Sequence, residues 1–277
     1  MTKYLVVPLL LFFSSTILAD TNFLPDNDLW KQDPLYQMRI YNKIPDLYSI
    51  LTSSFTKEEV EAKIAGNEEM FNRVIDAGYL LYKPFADQNS ETLVINKKWE
   101  DPTVNANTNR YLWKVTINMY GGLARRPEIS IEGFALVLCH ELGHAYGGTP
   151  YIRVSNKLSA EGQADYYGSG VCVKKLLYEL SIKDWEQKPS EFMNKTCKDM
   201  YTNVDQNENC LRGLVGGQSL GVLLSVIKDQ PAPSYETPDS TVVTSTILSY
   251  PATVQCRLDT YFQGVTDKLR PLCWFKP

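Results

Sequence analysis

"CHELGHAYGG", residues 139–148, decides how the rest of this chain is read. The 277-residue sequence contains two histidines, and both lie here: His140 and His144, four apart, with Glu141 between them. Two histidines dropped at random into this length would fall four apart with Glu after the first roughly one time in 2,000. Ser130 can cap a helix starting just upstream, and Gly147-Gly148 can end it. On a helix each residue advances about 100°, so both imidazoles project from one face, one turn apart. Glu141 falls on the flank of that face, Leu142 points into the core, and Gly143 leaves room for a close approach. This is the H-E-x-x-H arrangement, with two nitrogens for a metal and a carboxylate beside it.

A catalytic zinc ion takes three protein ligands plus water. No third histidine exists, so the remaining ligand must be a carboxylate or a thiolate. "SAEGQAD" (residues 159–165) supplies Glu161, 17 residues past His144, in the first turn of a second helix capped by Ser159. An antiparallel return would bring Glu161 opposite the histidine pair. Asp165 lies one turn further on the same face and can accept the outer N–H of a metal-bound imidazole, that of His140, fixing its tautomer.

H-E-x-x-H followed by E-x-x-x-D resembles the gluzincin metallopeptidases. "EGQAD" is similar to the E-x-x-A-D element of the CAAX-prenyl-protease-like branch, through soluble exported relatives. In that branch a later His-Pro and an arginine also belong to the site, and this chain has Tyr250-Pro251 and Arg257. The resemblance covers residues 110–182, with an echo at 248–262. It implies an α+β, zincin-like fold, with a small sheet packed on the H-E-x-x-H helix and a mostly helical C-terminal part. It implies one Zn2+ per chain on His140, His144 and Glu161, and a polypeptide substrate. Glu141 would take the proton of a zinc-activated water and pass it to the leaving amine. A further donor must stabilise the oxyanion, and with no histidine left it must be Tyr, Arg, Lys or backbone. Tyr250 and Arg257 are the candidates, and Tyr146, Tyr151, Tyr166 and Tyr167 lie close in sequence. In zincins an edge strand pairs with extended substrate, a role carried here to residues 118–120, at the end of the strand before the metal helix. The alternative is a catalytically degenerate zinc-binding protein with a binding or structural envelope role.

The remainder of the sequence sets the context. Net charge is −4 and no basic stripe occurs, which argues against nucleic acid as a partner. Lys3, the apolar run over residues 4–13 and Ala19 read as a secretory signal peptide over 1–19. The protein is therefore expected to be exported, periplasmic or extracellular, with no stable membrane insertion after signal removal, and no later segment is expected to span a membrane. Six cysteines fit an oxidising compartment, with Cys197–Cys210 and Cys256–Cys273 as local bridges. Cys172 could bridge back to Cys139.

Residues 20–277 are expected to form a single catalytic domain. An extended arm (20–55) is followed by a lobe of helix and sheet (56–130), a zinc-binding helical part (131–230), a linker (231–247) and a C-terminal cap (248–277). The first helix, over 55–79, carries a capping box at Thr56 and Glu59, a staple of Phe55 with Val60, and an apolar stripe of Val60, Ile64, Phe71 and Ile75. Strands are expected over 91–100 and 110–122. In the second, Trp113, Val115, Ile117 and Met119 alternate with polar residues. Helices are expected over 160–182, interrupted by Gly168 and Gly170, and over 217–229.

Overall fold

Val115, Ile117 and Met119 have no exposed surface, while Thr116, Asn118 and Tyr120 between them are half-buried, as alternation on a pleated strand requires. The structure is a computed structural model describing residues 20–24, 27–33, 57–182, 185, 187–251 and 253–277, with the side chains of the first long helix described from Glu68 onward. The signal peptide, the Thr56–Glu59 capping box and the Phe55–Val60 staple lie outside the described residues and side chains.

The fold is α+β. Strand β1 (Asp20–Asn22) and a 3-10 turn (Leu29–Gln32) precede helix α1 (Lys57–Gln88). Strands β2 (Thr92–Lys98), β3 (Ala106–Tyr111) and β4 (Lys114–Tyr120) follow, then the single turn α2 (Gly121–Ala124). Helix α3 (Ile131–Tyr146) carries the two histidines. After the small hairpin β5 (Tyr151–Arg153) and β6 (Leu158–Ser159) comes α4 (Glu161–Tyr167), a π-helical turn at Gly168–Cys172 and α5 (Val173–Leu180). Helices α6 (Glu191–Met200), α7 (Val204–Lys228) and α8 (Val254–Val265) complete the chain.

The main sheet has the order β1-β3-β4-β2, antiparallel except for the parallel β2–β4 pair. Two expectations fail here. The strand expected over 110–122 is a hairpin, turning at Leu112 (φ 52°) and Trp113, so Trp113 is 72% exposed at the tip. Residues 118–120 likewise differ from the substrate-pairing edge expected there. Strand β4 is interior, with Asn118 paired to Asn107 on one side and Asn96 on the other, so both backbone edges are spent and no substrate strand can add there. The arm also differs from an extended surface segment: residues 20–22 form the edge strand on β3, and Phe23 and Leu24 are fully buried.

Helix α3 is the axis of the molecule. Ser130 caps it as expected, accepting from the Gly133 amide at 3.1 Å, and Gly148 follows its end in the left-handed region (φ 78°). All residues from Glu132 to Ala145 are buried, between the sheet and α1 on one side and α4 and α7 on the other. Phe71, Val74, Ile75, Tyr82 and Ala86 of α1 recur at helical spacing and face the core. Burying Leu136, Val137, Leu138 and Leu142 contributes about 1.5–3 kcal/mol for each side chain.

Helix α7 is longer than expected. By length and composition it could cross a membrane, contrary to the expectation that no later segment could, but 72% of its apolar window is buried inside the protein. Its Arg212 is paired with buried Glu132 of α3 at 2.7 Å. The stretch expected as a linker over 231–247 has no helix or strand but is anchored: Tyr235 is buried and donates to the Leu214 carbonyl at 2.7 Å. The disulfides are Cys139–Cys172, Cys197–Cys210 and Cys256–Cys273, and they use all six cysteines.

Candidate metal centre

Two glycines let the histidine helix and the glutamate helix meet backbone to backbone. A Cβ on Gly143 would lie 2.7 Å from the Ala164 carbonyl oxygen, and one on Gly168 would lie 3.0 Å from the His140 amide nitrogen. The Cys139–Cys172 disulfide ties the same two segments covalently. Glu161, the first residue of α4, is thereby set opposite the histidine face. The turn before it is not capped by Ser159 as expected. Ala160 is the N-cap, and the Ser159 hydroxyl donates to the Gly148 carbonyl at 2.6 Å.

The three expected ligands converge. Glu161 Oε2 lies 3.4 Å from His140 Nε2, and Oε1 lies 3.5 Å from His144 Nε2. One ligand atom from each residue falls within 4.8 Å of the others, so the triad could hold a metal ion. Both Nε2 atoms and Glu161 Oε2 are buried without a hydrogen-bond partner among the described residues. An unmet buried polar atom costs about 1–3 kcal/mol, and three at one point are the arrangement a cation resolves.

The outer nitrogens explain the aim of the rings. His144 Nδ1 lies 2.7 Å from the Ser159 carbonyl oxygen, which can only accept, so Nδ1 carries the proton and Nε2 presents its lone pair. His140 Nδ1 lies 2.6 Å from Asp165 Oδ1. Asp165 in turn accepts two bonds from Arg257, Nε to Oδ2 at 2.8 Å and Nη2 to Oδ1 at 2.7 Å. All of these side chains are buried.

The charges follow from this packing. Burial alone would raise the Asp165 carboxyl, but Arg257 and His140 overcome it and hold it well below the usual range, so it stays an acceptor. Burial disfavours charge on His140, yet Asp165 and then Glu161 outweigh it and push the metal-free ring up to about 9. His144, with no carboxylate on its Nδ1, is pushed down to about 4 by burial, with His140 adding to the effect.

Glu141 is fully buried on the flank of the pair. The Thr108 hydroxyl of β3 lies 2.6 Å from its Oε2 and 2.9 Å from its carbonyl oxygen. Thr108 carried no signal in the sequence, since it sits in the polar run "ANTNRY", which lacks the apolar alternation of a strand.

Tyr250 and Arg257 also reach the site. Burial, and then the charge of Glu161, raise the Tyr250 hydroxyl well above the usual phenol value, so it keeps its proton and donates to the Asn22 carbonyl. Arg257 is committed differently from an oxyanion donor: two nitrogens bind Asp165 and Nη1 donates to the Phe23 carbonyl at 3.1 Å. Tyr146 and Tyr167 are packing neighbours of Tyr82, Tyr146 stacking on its ring and Tyr167 sharing a hydroxyl hydrogen bond with it at 3.1 Å, while Tyr166 donates to the Lys268 carbonyl.

No protein-family model, curated protein or solved structure matches this chain.

Proposed function

We infer that this protein is an exported zinc metalloendopeptidase with a zincin-like arrangement of sheet and helices around its site. One observation carries the inference: two imidazole Nε2 atoms and a Glu161 oxygen, each buried and otherwise unmet, aim at one point with a buried glutamate beside them. Two imidazoles and one carboxylate are the donor set of a catalytic zinc centre. The three disulfides are in keeping with an oxidising compartment.

Zinc held there would supply Lewis acidity and bring a water toward ionisation near neutral pH. The protein's own residues do the rest. Glu141 accepts the proton of the attacking water and returns it to the leaving amine, and Thr108 holds its carboxylate in place. Asp165, backed by Arg257, keeps Nδ1–H on His140, and the Ser159 carbonyl does so for His144. Tyr250 supplies an O–H to the developing oxyanion. A purely structural metal site has no use for a buried Glu141 steadied by a hydroxyl, which weighs against a degenerate binding protein.

The test compares wild type with Glu141→Gln on a denatured polypeptide substrate. Zinc content should stay near one per chain in both, while hydrolysis falls about 10²–10⁴-fold in the variant. Hydrolysis by the wild type that Glu141→Gln leaves undiminished would remove the peptidase assignment and leave the binding role.

A further inference from the structure

We propose that the chain's own segment 21–24 is an inhibitory strap lying in the polypeptide track of the metal centre, a proposal that rests on the peptidase assignment above. The track is the outer edge of β3, the strand whose Thr108 holds Glu141. Residues 20–22 pair with that edge antiparallel, Thr21 opposite Thr108 and Asn22 opposite Asn107. Since β4 is interior, β3 is the sheet strand beside the metal helix whose outer side is taken by this segment rather than by the sheet body.

The segment is held as a bound peptide is held, mostly through its backbone. The Phe23 amide donates to the Ala106 carbonyl at 2.8 Å, and Asn105 grips Leu24 from both sides, Oδ1 to its amide at 2.8 Å and Nδ2 to its carbonyl at 3.0 Å. Two site residues hold its other carbonyls: Tyr250 donates to that of Asn22 and Arg257 to that of Phe23. The Phe23 ring packs edge-on against His140, centroids 4.9 Å apart, and the Arg257 guanidinium lies over its face at 4.7 Å. The Tyr250 hydroxyl assigned to the oxyanion is thus already bonded to a peptide carbonyl of the same chain. A substrate strand must displace this segment, and one with an aromatic residue at the place of Phe23 would inherit its pocket.

The experiment uses the full chain with a specific protease recognition sequence inserted between Asn27 and exposed Asp28, so that the protein folds before the strap is cut. His140 and His144 are the only histidines, so carbethoxylation by diethylpyrocarbonate, followed at 240 nm on metal-free protein, reports on cover over this site alone. Cutting should raise the rate about tenfold or more, and the peptide DTNFLPDN added back should lower it. In zinc-loaded protein hydrolysis should rise with cutting and fall with the peptide. As a second route, Asn105→Ala in the uncut chain removes two strap bonds outside the metal set and should raise the modification rate about tenfold. Unchanged modification after cutting and in Asn105→Ala overturns the strap. Faster modification with hydrolysis still absent keeps the strap as a cover and defeats the peptidase assignment instead.

Discussion

Gly143 and Ala164 meet backbone to backbone between the two helices of the candidate metal centre, with 2.7 Å between the Ala164 carbonyl oxygen and the point where a Cβ on Gly143 would sit. Because the obstacle is backbone, it cannot rotate away. Gly143→Ala should move α4, and with it Glu161, off the histidine face. The expected cost is about 1–3 kcal/mol of stability, accompanied by a clear drop in zinc affinity. Thermal unfolding and a chelator competition measure the two effects, and wild-type values for both would show that the helices can separate without loss.

Asp165 connects His140 to Arg257. Asp165→Asn should weaken zinc binding about 10–100-fold, because the amide no longer fixes the imidazole tautomer. It also strands the buried Arg257 charge, at about 3–5 kcal/mol. Zinc titration against a competing chelator and urea unfolding separate the consequences.

The disulfides should differ in what they do. Replacing Cys139 and Cys172 with alanine should cost about 2–5 kcal/mol and also reduce metal affinity, since that bridge joins the segments bearing His140 and Asp165. Replacing Cys197 and Cys210 should cost a similar amount of stability and leave zinc affinity unchanged. Parallel zinc titrations of the two double variants decide the matter.

Tyr201 donates to Asp267 at 2.8 Å, and burial followed by that carboxylate pushes its hydroxyl up to about 12. The folded state therefore holds this proton more tightly than the unfolded chain does. The stability Tyr201 contributes is fully present below pH of about 10, the unfolded value, and is lost as pH rises toward 12. Urea midpoints of wild type and Tyr201→Phe should differ at pH 9 and converge by pH 12. A constant gap across that range would contradict the assignment.

The sequence was most readable where local chemistry and the fold agree. His140 with His144, and Glu161 with Asp165, were legible as pairs because helical periodicity sets which side chains share a face; bringing the two pairs together needed the expected antiparallel return, and the structure places all four side by side. Ser130 and Gly148 bounded α3 for the same reason. Strand β3 and its approach were not legible: Asn105, Asn107 and Thr108 are buried yet polar, because each is spent on a hydrogen bond, to Leu24, to Tyr120 of β4 and to Glu141 in turn. Strand β1 was hidden for a different reason. Its partner is more than eighty residues away, and a short stretch rich in Asp, Asn and Pro has no pattern of its own. Gly168 and Gly170 were visible as an interruption, but the π-helical turn they sit in reflects the close passage over Cys139 and His140.

Because Cys139 is joined to Cys172, and both outer ring nitrogens are engaged by Asp165 and by the Ser159 carbonyl, the two imidazoles are aimed by the chain itself. Changes that loosen α4, even far from His140 and His144, should therefore reach both rings at once, since Asp165 lies on that helix and Ser159 just before it.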